Sequence, residues 1–295
     1  MYEPVKDYKN PLRLFITDFD RTLLRNDKTL GHKDLKAMEK LGSHGIVRAV
    51  ATGRSLYSFE RTINALGFSG PDRFLPVDYV IFSTGAGIIH YPEGILIKRT
   101  SLQSDETAHI ADYFENQGLD YMIHRPVPDT KFFVFKSHGN VNPDFLARIK
   151  LYHKFCSPLN TNGAADFGRA TEVLSIIPKK KAKGIEKKIK KDLSCFSVIR
   201  ATSPLDNESV WIEIFPPSVS KSQAGLWLAR NLGISRKNIV SIGNDYNDMD
   251  LLEWSGKGFV VDNAPDDLKM KFENVSSNNR NGVSQAIDRG FAFFK

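Results

Sequence analysis

Cysteine is scarce in this chain: only Cys156 and Cys195 occur among 295 residues. With no CxxC pair, neither a disulfide framework nor a thiolate metal site is expected. Both read as reduced packing residues of a cytoplasmic protein. Long apolar runs are missing too. None approaches the ~18 residues of a membrane helix, so no membrane partner is expected. Met1 to Pro11 is polar and lacks the apolar stretch of a signal peptide. The seven histidines are scattered, and no HxxxH or HExxH pair suggests a histidine-bound metal. Repeats and low-complexity segments are absent.

What is present is ordinary in bulk. The chain is 41% apolar and 25% charged, the balance of a globular protein. Its length allows one large or two modest domains with a sizeable core. The formal charge of +7 suits nucleic acid and small anions equally. Lys179-Lys-Lys-Ala-Lys is a basic run, and Ala182, Ile185, Ile189 and Leu193 lie at helical spacing within and after it. It reads as the solvated face of a packed helix. No zinc finger, RNP or helix-turn-helix pattern points to a nucleic-acid partner. Oligomeric state leaves no mark in the sequence.

Short apolar runs are the organising signal. Leu12–Thr17, Ile46–Ala51, Tyr79–Phe82, Ile239–Ile242 and Phe259–Val261 each end in small or polar residues. They read as buried parallel strands. Helices are expected over Ser55–Leu66 and Ser222–Leu232, each ended by a glycine. Strands alternating with helices predict an α/β fold, a doubly wound, Rossmann-like parallel sheet. The rhythm breaks after Gly85 and returns near Pro216. Ile95–Thr100, Tyr121–His124, Lys131–Lys136, Glu172–Ile177, Val198–Ala201 and Val210–Phe215 read as strands, with helices over Asp105–Gln117 and Lys179–Leu193. The expected organisation is a discontinuous core, 1–87 and 209–295, with an inserted α/β cap domain at 88–208. Thr84-Gly85-Ala86-Gly87 suits a hinge at the first crossing. His124-Arg125, at a strand end of the insert, is a candidate to face substrate.

Four segments carry the chemistry. Asp18 and Asp20 end the first strand and share a face, because strand side chains have period two. Alone, such a pair reads as solvated loop acids. Thr52-Gly53-Arg54 follows the second strand and offers a hydroxyl and main-chain N–H groups at a helix start, an anion site. Lys221 opens a helix, where the dipole slightly disfavours it and where it can neutralise a phosphate. Gly243-Asn244-Asp245-Tyr246-Asn247-Asp248 packs hard oxygen donors at a strand end, the set Mg²⁺ prefers. Taken singly, it reads as an Asn/Asp-rich turn.

In order and spacing, these segments resemble the four motifs of the haloacid dehalogenase superfamily of phosphatases: Asp18-Phe-Asp20-Arg-Thr22, Thr52, Lys221 and Gly243–Asp248. The position of the insert resembles the Cof-like subgroup. The resemblance implies a cytoplasmic Mg²⁺-dependent phosphomonoesterase acting on a small phosphorylated metabolite, with sugar phosphates as the leading class. It implies Asp18 as nucleophile and Asp20 as acid and base. Thr52, the Gly53 amide, Lys221 and Asn247 would hold the phosphate. Asp18, the Asp20 carbonyl and Asn244 would hold the metal, with Asp248 on its water and paired to Lys221. The alternative is a sugar phosphomutase of the same superfamily.

Three positions depart from the pattern. Arg21 stands where glycine is usual, and is strained if the turn needs a positive φ. Asn244 stands where aspartate is usual. It is preferred as third metal ligand, with Asp245 as the alternative. Thr84-Gly85-Ala86 replaces the Asn-Gly-Ala of the subgroup, a change expected to alter a substrate contact.

Overall fold

In the computed structural model, which describes residues 12–68, 74–91, 93–140, 142–160, 163–203, 205, 206 and 208–291, Leu14–Asp18 forms strand β1 with all five residues buried. Met1–Pro11 falls outside the described residues. Helix α1 (His32–Ser43) leads to β2 (Val47–Ala51), then α2 (Leu56–Ala65) and β3 (Tyr79–Phe82). Next come β4 (Gly87–His90), β5 (Ile95–Arg99) and α3 (Ser104–Asn116). They are followed by β6 (Tyr121–His124), β7 (Phe133–Lys136), α4 (Pro143–Leu151), β8 (Cys156–Pro158) and β9 (Glu172–Pro178). Helix α5 (Lys179–Asp192) precedes β10 (Ser197–Thr202), β11 (Ser209–Phe215) and α6 (Lys221–Asn231). The chain ends with β12 (Ile239–Gly243), α7 (Met249–Trp254), β13 (Lys257–Val261), α8 (Asp266–Lys271), β14 (Glu273–Val275) and α9 (Gly282–Gly290).

The elements fall into two units: Met1–Gly53, Arg61–Ile97 and Lys221–Lys295 in the first, Arg54–Glu60 and Lys98–Ser220 in the second. The first unit contains a sheet ordered β14-β13-β12-β1-β2-β3-β4-β5. The strands from β14 to β3 run parallel, and β4 returns antiparallel to β3. Register levels the carboxyl ends at the centre: Asp18 faces Ala51, Thr17 faces Ile242, and Ala51 faces Ile81. Residues just past β1, β2, β3 and β12 therefore share one edge, where open α/β sheets bind ligands. Leu14, Ile16, Ala49, Ile81, Leu228 and Ile239 fill the core beneath.

The second unit's sheet runs β10-β11-β9-β6-β7-β8, antiparallel apart from the β7–β8 edge pair. Phe114, Tyr121, Val173, Ile189, Ile212 and Leu193 pack on one face. Ala182 and Ile189 are the buried side of α5, while Lys179, Lys180, Lys181 and Lys183 are exposed, the pattern of an amphipathic surface helix. Asn142 caps α4 by accepting the N–H groups of Asp144 and Phe145, with Pro143 following.

The crossings differ from the expected 88 and 208. β4 and β5 remain in the first sheet, because Ile88 and Ile89 pair with Ile81 and Val80. β11 belongs to the second sheet, paired along its length with β9 and β10. The Thr84–Gly87 segment is therefore no crossing. It is a buried turn between two paired strands of one sheet. β4, β8, β14 and helices α1, α4, α7, α8 and α9 are additions to the elements expected.

Candidate active site

The site is assembled at the strand ends of the first unit. Asp18 closes β1 and is 5% exposed, while Lys221, the first residue of α6, is fully buried. The Lys221 ammonium donates to Asp18 Oδ1 at 2.6 Å and to Asp248 Oδ1 at 2.5 Å. A buried lysine survives as a cation only with such partners. Burial works to lower its pKa, but the two carboxylates outweigh it and the net shift is upward. Burial, reinforced by the charge of Asp248, pushes the Asp18 carboxyl up to about 7 against the pull of Lys221.

Asp248 is used on both sides. Its Oδ2 accepts the main-chain N–H of Asn244 at 2.8 Å and of Asp245 at 3.1 Å. It thus shapes the loop and holds Lys221. Gly243 permits this, since a Cβ there would lie 2.5 Å from Cβ of Asp248, a distance real Cβ atoms do not reach.

Asn244 turns towards β1. One polar end of its amide lies 3.1 Å from Asp18 Oδ2, 3.2 Å from the Asp20 main-chain oxygen and 3.3 Å from the Thr22 hydroxyl. With the amide nitrogen at that end, it would donate to all three. With the oxygen there, a carboxylate, a carbonyl and an amide oxygen converge, which calls for a cation. That donor set fits a hard divalent ion. Among the described residues no group of three His, Cys, Asp or Glu forms a metal cluster, as expected of a set with only one side-chain carboxylate. Asp245 serves the turn, with Oδ1 accepting the N–H of Tyr246 at 2.8 Å.

Past Asp20 the chain turns sharply. Arg21 has φ +57°, which costs a residue with a Cβ about 1–2 kcal/mol. Asn263 holds the turn, its amide donating to the Arg21 carbonyl at 2.9 Å, while its own oxygen accepts the N–H of Asn278.

Thr52 is 1% exposed just beyond β2. Its N–H donates to the Ile81 carbonyl at 2.8 Å, and its carbonyl accepts the N–H of Thr84 at 3.0 Å. Within 4 Å, a Cβ on Gly53 would meet the Thr84 hydroxyl at 3.6 Å and Asn247 Nδ2 at 3.9 Å. Gly53 thus borders open space flanked by polar groups. Asp18, Asp20, Thr52, Gly53, Lys221, Asn244, Asn247 and Asp248 all lie in this unit.

Thr84 borders this space, a position that sequence reasoning connected with a substrate contact but with no stated role. Its only signal was the departure from Asn-Gly-Ala. His124 lies in the second unit. It is 1% exposed, its ring 4.7 Å from that of Phe133, with Nδ1 bonded to the Thr130 carbonyl. Burial, with Arg148 nearby, drives its pKa down to about 3. A neutral, buried imidazole packed on Phe133 fits the packing role that the scattered histidines suggest, not the substrate-facing candidate.

With this geometry in view, the chain matches the family model of haloacid dehalogenase-like hydrolases over residues 15–287. The protein belongs to that family. It is 24% identical over 293 residues to the 5-amino-6-(5-phospho-D-ribitylamino)uracil phosphatase YwtE of Bacillus subtilis, covering 94% of this chain and 98% of that protein. It is 25% identical over 269 residues to an HMP-PP phosphatase of Escherichia coli, covering 89% of each. Among solved structures, BT1666 from Bacteroides thetaiotaomicron superposes with a TM-score of 0.75 at 16% identity, over 98% of this chain and 99% of that one. The subclass IIB sugar phosphatase BT4131 gives 0.71 at 15% identity, over 94% and 98%. Among the described residues no helix is long and apolar enough to cross a membrane.

Proposed function

We propose that this chain is a phosphomonoesterase for a small phosphorylated metabolite, working through an aspartyl-phosphate on Asp18. One observation carries the reading: the Asp18 carboxylate is fixed at one oxygen by Lys221 at 2.6 Å, while its other oxygen lies 3.1 Å from the Asn244 amide. A carboxylate so fixed can present itself in line to phosphorus. The relatives named as phosphatases support the reading.

Asp18 attacks phosphorus, and the leaving oxygen departs with a proton from Asp20. The same Asp20 then deprotonates the water that cleaves the acyl phosphate. Thr52, the Gly53 N–H, Asn247 and Lys221 hold the phosphoryl oxygens, whose charge spreads in the transition state. Asp248 positions Lys221 and the Asn244 loop. Mg²⁺ would be held by the Asp18 carboxylate, the Asp20 main-chain carbonyl and the Asn244 side chain. When bound, it offsets the repulsion between that carboxylate and the phosphoryl oxygens. A sugar phosphate is the leading substrate class, and the second unit, inserted between Thr52 and Lys221, acts as the cap that sets the choice of leaving group. The reaction belongs in the cytoplasm.

The test is release of free phosphate from a panel of phosphorylated metabolites, with and without Mg²⁺. Mg²⁺-dependent release from sugar or polyol phosphates is expected. No release from any member, by protein that is folded and Mg²⁺-loaded, refutes the reading.

A further inference from the structure

The turn after β3 holds an unusual run of backbone. Ser83, Thr84 and Gly85 have successive φ values of +46°, +56° and +107°. Glycine accepts this freely, but residues with a Cβ do not. A β-branched threonine is among the worst choices for the left-handed region. All three residues are buried, so no solvent contact explains the conformation. The Thr84 N–H donates to the Thr52 carbonyl, a bond that glycine or asparagine would make with less strain. The backbone bond therefore does not account for threonine at this position, and the side chain must.

The side chain has a definite neighbour. Its hydroxyl lies 3.6 Å from the point that a Cβ on Gly53 would occupy, and Asn247 Nδ2 lies 3.9 Å from the same point. The peptide geometry adds direction. The Thr52 carbonyl and the Gly53 N–H belong to one planar trans peptide and point opposite ways. Since the carbonyl is held by Thr84, the Gly53 N–H is aimed away from that bond.

We propose that the Thr84 hydroxyl is a further phosphate-binding group of this site, donating to the phosphoryl oxygen received beside Gly53. This rests on the phosphatase reading and deepens it. The strained turn is retained because it delivers a hydroxyl where asparagine would deliver a longer amide. Strain kept at a binding site in this way is a recognised pattern.

Three variants test the idea: Thr84→Val, which keeps the shape and loses the hydroxyl, Thr84→Ala, and Thr84→Ser, which keeps the hydroxyl with less strain. The primary readout is calorimetric binding of inorganic phosphate in the presence of Mg²⁺, which needs no turnover. Thr84→Val and Thr84→Ala should bind phosphate about tenfold more weakly, with Thr84→Ser close to wild type. Thermal midpoints taken alongside identify any variant that has failed to fold, and the alanine variant stands in if valine does not fit. Phosphate affinity within twofold of wild type in the folded valine or alanine variant overturns the proposal, as does a serine variant no better than alanine. A wild-type protein that binds phosphate but hydrolyses nothing would refute the phosphatase reading and leave the Thr84 comparison standing.

Discussion

Both units bury carboxylates, and they neutralise them in opposite ways. In the first, Asp18 and Asp248 share the ammonium of Lys221 at 2.6 and 2.5 Å. In the second, Glu172 and Glu213 are 7% and 4% exposed. Alternation places them on the sheet face that carries Leu174, Ile176 and Trp211. His124 is the register partner of Glu172. Arg148 lies 4.3 Å over the Trp211 ring. Among the described residues, Glu172 Oε2, His124 Nε2 and Arg148 Nε find no hydrogen-bond partner. Burial, with Glu213 adding to it and Arg148 opposing, raises the Glu172 carboxyl well above its usual range. The first cluster sets two carboxyl groups against one buried ammonium, and the ammonium keeps its charge. The second offers its buried carboxyl no ammonium: burial favours the protonated form of Glu172 and the neutral form of His124. Buried charge that is retained despite its desolvation cost marks a site where charge is used.

The sharpest way to break this contrast is at Asp18. Asp18→Asn is nearly isosteric, retains an acceptor for Lys221 and cannot attack phosphorus. Turnover of the best panel substrate should fall by at least about 10⁴, with the circular dichroism spectrum unchanged. Hydrolysis within tenfold of wild type would remove Asp18 as nucleophile.

Lys221→Met should come next in size. It strands two buried carboxylates, and breaking a buried pair costs about 3–5 kcal/mol. Denaturant unfolding at pH 7 should show that loss. It should shrink at acid pH, where protonated carboxyls no longer need the ammonium. A loss independent of pH would mean that packing, not charge, holds Lys221.

How much of this could be read from the sequence follows from the range of each interaction. β3 was legible to the residue, and β1, β2 and β12 to within two, because short apolar runs ending in polar residues are local signals. Lys221 at a helix start was legible for the same reason. The meeting of Asn244 with Asp18 and Asp20 spans more than 220 positions, and only the resemblance to a known motif order suggested it. The unit boundaries were not legible. β4 and β11 have ordinary strand sequences, and only their pairing partners decide which sheet they join. Thr84 was legible only as a departure from Asn-Gly-Ala that alters a substrate contact, because its positive φ is something no propensity predicts. Arg21 was foreseen as a strain point, since a substituted glycine is itself a local signal.

A charge change at Asn244 sharpens the comparison from the other side. Asn244→Asp adds a carboxylate to the first unit's cluster at a contact already made with Asp18 Oδ2 and the Asp20 carbonyl. Mg²⁺ affinity measured by calorimetry should rise about tenfold. The metal-free protein should lose stability, because three carboxylates then face one ammonium. If Asp245→Ala lowers Mg²⁺ affinity and Asn244→Ala does not, the ligand is misassigned.

The smallest effect is expected in the second unit, at Glu172→Gln. Glutamine has the shape and hydrogen-bonding character of the protonated acid that burial favours at Glu172. At pH 5 the substitution should therefore change stability by less than about 1 kcal/mol. The pH trend carries the information. A carboxyl raised in the folded state gives stability that is full below its unfolded pKa and is lost as pH rises through the folded value. Glutamine has nothing to lose. The difference between variant and wild type should therefore move in favour of the variant from pH 5 to pH 8, in urea unfolding monitored by tryptophan fluorescence. Phosphate release from p-nitrophenyl phosphate, a substrate with a simple leaving group, should be unchanged. A variant that loses ground as pH rises would mean that Glu172 is buried as a carboxylate, and the two clusters would then be built on one plan.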